Sequence, residues 1–229
     1  MPTKPPKEVM PENPTADTIN LDNPPFPLTS IDRAVLATRD EDYHRITWTD
    51  LHQIIATNTL ENLKRLPSDL RRYLAWSHNI KSHYGGITPY VVQERLHWTP
   101  SPSASTPAGP PAFAHKSDIP FAEPEDFAVL TNDWPYGFEE GIVHLVVWSK
   151  VPIAVDEERG DLTAEARRGV EEFVERFFVR AMGEGGRERV KWFKNWVSLQ
   201  SVRGVDHVHV LVRNAPPDLL RMWTERRDL

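Results

Sequence analysis

Cysteine is absent from all 229 residues. Disulfides, cysteine-ligated zinc and thiolate nucleophiles are thereby excluded, which fits a protein of the reducing cell interior, expected in the cytoplasm. No run of 18 or more apolar residues occurs either, so neither a transmembrane helix nor a membrane partner is expected. The opening MPTKPPKEVMPENPTADTIN lacks the apolar stretch of a secretory signal. There is no excess of positive charge: 27 Lys and Arg against 33 Asp and Glu leave a net charge of −6. That balance argues against indiscriminate nucleic-acid binding and leaves local basic patches open. What is present is apolar and aromatic. A hydrophobic share of 39% with eight Trp and nine Phe is ample for a packed core.

Residues 1–27 carry eight of the 21 prolines and read as a disordered leader. The remainder, 28–229, reads as a single α+β domain. Ser30 is placed to cap a short helix over Ile31–Thr38. Thr47, Trp48, Thr49 and Asp50 have capping-box spacing ahead of the stripe Leu51, Ile54 and Ile55. A further short helix is expected from Thr59 to Leu66. Pro67 opens a longer one through Ile80, stopped by Gly85 and Gly86, and Thr88-Pro89 starts another that runs to Trp98. The segment TPSPSASTPAGPP, residues 99–111, is low in complexity, and a flexible insertion is expected over 99–120.

The second half changes character. Phe127–Leu130 and Ile142–Trp148 are β-branched apolar runs bracketing a turn, which predicts a hairpin. Thr163 caps an amphipathic helix with Val170, Phe173, Val174, Phe177 and Phe178 on one side. Strands are expected over Val190–Val202 and Val205–Val212, and a closing helix after Pro216-Pro217. Helices followed by β-β-α-β-β-α predict an α+β fold, its helical N-terminal half packed on a mostly antiparallel sheet.

The sharpest local signal is Asp206 to Arg213, DHVHVLVR. Side chains alternate faces along a strand, so Val208, Val210 and Val212 form one face, and His207, His209, Leu211 and Arg213 the other. Two imidazoles and a guanidinium in a row suit an anionic or phosphate-bearing ligand. A polar, solvated face is the plain alternative. An HxH pair also suits a metal, with His144 as a possible third ligand, yet no carboxylate is fixed by the spacing. Lys194 and Asn195 stand inside the aromatic stretch WFKNW, where polar groups need partners or serve a ligand; otherwise Lys194 snorkels. Asn132, Asp133 and Tyr136 fall in a segment whose composition equally fits a plain turn.

These residues together resemble the histidine-triad nucleotide-binding fold. The resemblance rests on Asn132, Pro135 and Tyr136 ahead of Gly141 and His144, and then on Asn195, Gln200-Ser201-Val202, His207 and His209. It makes His209 the candidate nucleophile of a nucleotide or nucleotide-sugar enzyme, with Leu211 standing where a third histidine is found. A longer resemblance, from Phe26 to Arg213, is to a fungal family of N-acetylglucosamine-inducible proteins. It rests on Pro67–Trp76, Tyr84-Gly85, Glu94–Trp98, Asn132–Tyr136, His144–Trp148, Trp192–Asn195 and His207–His209. That resemblance extends to fungal arginine-containing cyclodipeptide synthases, which join arginine and a second amino acid from aminoacyl-tRNAs into a diketopiperazine. An acidic Asp-Asp-x-x-Glu motif of that group has no match here.

The implied activity is therefore a tRNA-dependent aminoacyl transfer, with no cofactor expected and no residue assigned as a metal ligand. His209 would be general base, His207 its orienting neighbour, and Asp133 the carboxylate for an amine or guanidinium. Asn132, Tyr136, His144, Trp148, Lys194, Asn195, Gln200, Ser201 and Arg213 would line the substrate site. Between Leu60 and Trp98, six Lys and Arg face three acids. Of these, Lys64, Arg65, Arg71 and Arg72 are the candidate contacts for arginyl-tRNA and its partner aminoacyl-tRNA. A solvated helix face explains the same residues. A catalytically silent amino-sugar-response protein is a further reading of the same resemblance.

Overall fold

The computed structural model describes residues 23–24, 26–101 and 110–225, so the leader over 1–22 lies outside the described residues. Seven helices and four strands follow in chain order among them. These are α1 (Ser30–Leu36), α2 (Trp48–Ala56), α3 (Pro67–Tyr84), α4 (Ile87–Tyr90), β1 (Phe127–Thr131), β2 (Ile142–Ser149), α5 (Ala164–Val174), α6 (Gly186–Arg189), β3 (Val190–Phe193), β4 (His207–Arg213) and α7 (Pro217–Thr224). Helices α4 and α5 run on as wider π turns, to Leu96 and Val179.

Local chemistry accounts for the ends. Thr47 and Asp50 cap α2 reciprocally, as their spacing predicts. α1 is capped by Thr29 with Asp32 rather than by Ser30. Pro67 sits in the first turn of α3, and Gly85 ends it in the left-handed region at φ 73°. The helix expected from Thr59 shrinks to one 3-10 turn, Leu60–Asn62, because Thr59 makes no side-chain cap.

The strands form one antiparallel sheet in the order β1-β2-β4-β3, which makes the fold α+β. Val208, Val210 and Val212 share their face with Val129, Leu145 and Val147, and pack on Val170, Phe173 and Val174 of α5 and Trp223 of α7. Each such side chain contributes about 1.5–3 kcal/mol by leaving water. The N-terminal helices cover the other face in two separate patches. Val146 and Trp148 meet Ile80, Val91 and Leu96, while Phe193 and Leu211 meet Trp48, Leu51 and Leu60. Helices thus lie on both faces of the sheet, and the face toward α3 and α4 is left with a gap between its two patches.

Two stretches depart from expectation. β3 stops at Phe193 instead of continuing to Val202. Lys194 turns to pair with Asp206, with Nζ 3.2 Å from Oδ1, and Gln200 Nε2 donates to the Asn195 carbonyl at 2.7 Å. The chain is thereby drawn into a loop that reaches back to β4. The insertion expected over 99–120 is docked where it is described. Ser101 N–H donates to the Ala112 carbonyl at 2.8 Å, Phe113 is buried, and the Lys116 and Ser117 N–H groups donate to the fully buried Asp126 carboxylate. Residues 102–109 lie outside the described residues.

Candidate functional site

The gap opens over the middle of the sheet. Register sets its floor: His209 lies between Val146 of β2 and Phe193 of β3, His207 lies opposite Trp148, and His144 opposite Leu211. Partners across an antiparallel pair share a face, so all three histidines point toward the N-terminal helices. None is solvated; each is more than nine-tenths buried. The plain reading of a polar, solvated sheet face is overturned by that burial.

The tautomers follow from the direction of the Asn195 amide, and Asn132 Nδ2 stands beside the His144 ring, 3.3 Å from Nδ1 and 3.2 Å from Nε2. The Asn195 Nδ2 amide donates to Tyr136 Oη at 3.1 Å and lies 3.2 Å from His209 Nε2, which therefore accepts. His209 then carries its proton on Nδ1 and donates it to His144 Nε2, 2.9 Å away. Both nitrogens of His209 are engaged within the protein. His207 differs. Its Nδ1 donates to the Val205 carbonyl at 2.8 Å, its ring lies against Trp148 with centroids 4.6 Å apart, and Nε2 has no partner among the described residues. Burial pushes His144 down to about 3 and His207 to about 4. Burial first, and the nearby His144 second, hold His209 well below its ordinary range. All three are neutral imidazoles at neutral pH.

Above this floor is a cleft of about 230 Å³. Tyr73 and Trp76 of α3, Tyr90 of α4 and Trp134 wall one side, with Trp76 and Trp134 centroids 5.3 Å apart. Asp133 and Arg95 also line it, joined in a bidentate pair with Nε–Oδ2 2.8 Å and Nη2–Oδ1 2.7 Å. Arg65 lies on the Tyr73 ring at 3.9 Å and donates from Nε to the Trp134 carbonyl. Among the described residues no three His, Asp or Glu side chains gather as a metal-ion site.

A family model described as "Protein of unknown function (DUF3605)" matches residues 47–213, a span that contains the whole cleft. The chain belongs to the DUF3605 family. Its relatives include the N-acetylglucosamine-induced protein 1 of Candida albicans, 32% identical over 175 residues, which are 73% of this chain and 68% of that protein. An uncharacterized protein of Saccharomyces cerevisiae is 32% identical over 168 residues, 72% of this chain and 77% of that one. The solved structure described as "Crystal Structure of HTC1" superposes with a TM-score of 0.52 at 26% identity, covering 77% of this chain and 91% of that one. The expected kinship with N-acetylglucosamine-inducible fungal proteins is therefore met.

In this DUF3605 chain, ten of the residues singled out in the sequence meet at the cleft: Arg65, Asn132, Asp133, Tyr136, Trp148, Asn195, Gln200, Ser201, His207 and His209. His144 lies beneath, against His209. Five others stand elsewhere. Lys194 is buried in its pair with Asp206. Arg213 projects over the Trp48 ring at 5.7 Å, not into the cleft. Arg71 donates to the Leu36 carbonyl at the end of α1, and Arg72 pairs with Asp69 one turn away. Lys64 borders a separate hollow near Tyr43 and His44, whereas its neighbour Arg65 enters the cleft, so the four basic residues do not form one face. The aromatic wall and Arg95 were not foreseen. Tyr73 and Trp76, three apart on a helix, carried a signal that reads equally as core.

Proposed function

We propose that the cleft is the active site of an aminoacyltransferase that joins arginine and a second amino acid, each carried on tRNA, into a cyclic dipeptide. The observation that carries this reading is His207: a neutral imidazole at the cleft, held by the Val205 carbonyl, whose Nε2 has no partner among the described residues. An amine attacking an ester must lose a proton, and the departing ribose hydroxyl must gain one. A neutral Nε2 does both in turn. The α-amine of one aminoacyl group attacks the other ester carbonyl, forming an amide and releasing the first tRNA. The free amine of the resulting dipeptide then attacks the remaining ester, closing the ring and releasing the second tRNA. His209 is the weaker base candidate, since both its nitrogens are engaged. Asp133 is the cleft carboxylate that fits an arginine side chain, which would have to displace the guanidinium of Arg95 that both its oxygens now hold. For tRNA, Arg72 is the most exposed of the four basic residues.

A second reading, a histidine-triad-like enzyme of nucleotides or nucleotide sugars, is favoured by the three imidazoles aligned on one sheet face beside Gln200 and Ser201. One assay separates the two. Purified protein is incubated with arginyl-tRNA and mixed aminoacyl-tRNAs, and in parallel with mononucleotides and nucleotide sugars, with products read by mass spectrometry. A cyclic dipeptide supports the first reading. Nucleotide cleavage instead would move the assignment to the second, and neither product would leave a non-catalytic binding protein.

A further inference from the structure

Asn195 is 6% exposed, lines the cleft, and its Oδ1 is buried without a hydrogen-bond partner among the described residues. A buried carbonyl left unpaired costs about 1–3 kcal/mol and calls for a donor. The orientation of the amide is constrained. Reversing it would place Oδ1 toward Tyr136 and His209 and orphan two buried N–H groups in place of one carbonyl oxygen, the rarer and worse outcome. Beside it is a second unpaired acceptor, His207 Nε2, set by the donation of Nδ1–H to Val205. The two flank His209, whose ring centroid is 5.3 Å from that of His207 and whose Nε2 is 3.2 Å from the Asn195 amide. Around them stand flat rings, Trp148 on His207 and Tyr136 bonded to Asn195.

We infer that the cleft floor is an acceptor-lined subsite for a planar group that carries N–H donors on its edge, of the carboxamide, amidine or amino-heterocycle class. It deepens the aminoacyl-transfer reading by naming what the floor recognises, separately from the carboxylate of Asp133, yet it is testable without catalysis. The two guanidinium groups that line the cleft are both engaged, Arg65 on the Trp134 carbonyl and the Tyr73 ring and Arg95 on Asp133. The subsite therefore selects by hydrogen-bond direction rather than by charge.

Three small aromatic probes isolate that property: benzamide, methyl benzoate and benzoate. The first two are neutral and alike in size, and only benzamide offers N–H. Calorimetric titration of the full chain is expected to show benzamide binding at least about tenfold more tightly than either ester or acid, the worth of one good hydrogen bond. Asn195→Ala and His207→Phe should each erase that preference, read as the ratio of benzamide to methyl benzoate affinity in the same variant. Equal affinities, a preference for benzoate, or no binding by benzamide in the parent protein would overturn the inference. The parent comparison stands even if a variant fails to fold. Benzamide preference without any cyclic dipeptide sinks the transferase reading alone. A cyclic dipeptide with no such preference sinks the subsite alone.

Discussion

His209 Nδ1 lies 2.9 Å from His144 Nε2, two buried neutral imidazoles from neighbouring strands joined by one proton. Tyr136 stacks on the His144 ring with centroids 5.5 Å apart, and Phe193 stacks on His209 at 4.8 Å. The pair is a rigid underlayer for the cleft rather than a solvent-facing dyad. Replacing His144 by Ala empties a site walled by Tyr136, Phe138 and Phe193 and strands the His209 proton. A loss of about 3 kcal/mol is expected from cavity and unpaired donor together, read as a lowered urea midpoint with an unchanged slope. An unaffected midpoint would mean the pair is not formed.

Acid should unfold this protein early. His207 has an ordinary value of 6.5 and is held near 4 in the fold, and His144 lies near 3. Between these values and 6.5 the unfolded chain binds protons that the folded chain refuses. The contribution is complete above about pH 6.5 and is lost as pH falls through that window. Each histidine removes up to about 1.4 kcal/mol per pH unit there. The melting point should hold from pH 7.5 to about pH 6.5 and fall from there to pH 5, and His207→Asn should melt with a shallower slope below pH 6.5 than the parent. A parent whose melting point is flat over this range would contradict the neutral buried state.

The docked stretch around Phe113 hangs on Asp126, which accepts Lys116 N–H on both oxygens at 3.0 and 2.9 Å and Ser117 N–H at 2.9 Å. Asp126→Ala leaves two backbone donors without an acceptor in a buried place and should cost about 3 kcal/mol. Limited proteolysis should then cut within residues 110–120, where the parent resists. Deleting residues 102–109 alone should leave the melting point nearly unchanged, because Pro100 and Phe113 remain bridged.

The valine alternation of β4, the Thr47 cap and the β1–β2 hairpin were readable in the sequence because each depends on neighbours a few residues apart. So was most of the cleft floor, since Asn132, Asn195, His207 and His209 are polar residues in apolar surroundings. The early end of β3 was not readable: it depends on the Lys194–Asp206 pair and on Asn195 reaching Tyr136, 59 positions away. Nor was the pairing of Arg95 with Asp133 across 38 positions. Lys64, Arg65, Arg71 and Arg72 read as candidate tRNA contacts or a solvated helix face, yet Arg65 lies on an aromatic ring and Arg71 closes the end of α1. Charge placed by tertiary contacts leaves no periodic trace.

His207 carries the account, and its Nε2 is the group to remove. The decisive measurement is mass spectrometry of culture medium from bacterial cells expressing the parent chain or His207→Asn, with the folded state of each verified by its melting curve. The account predicts an arginine-containing cyclic dipeptide from the parent and at least about a hundredfold less from the folded variant, the usual worth of a general base. Undiminished product from folded His207→Asn, or no cyclic dipeptide from the parent, would contradict it.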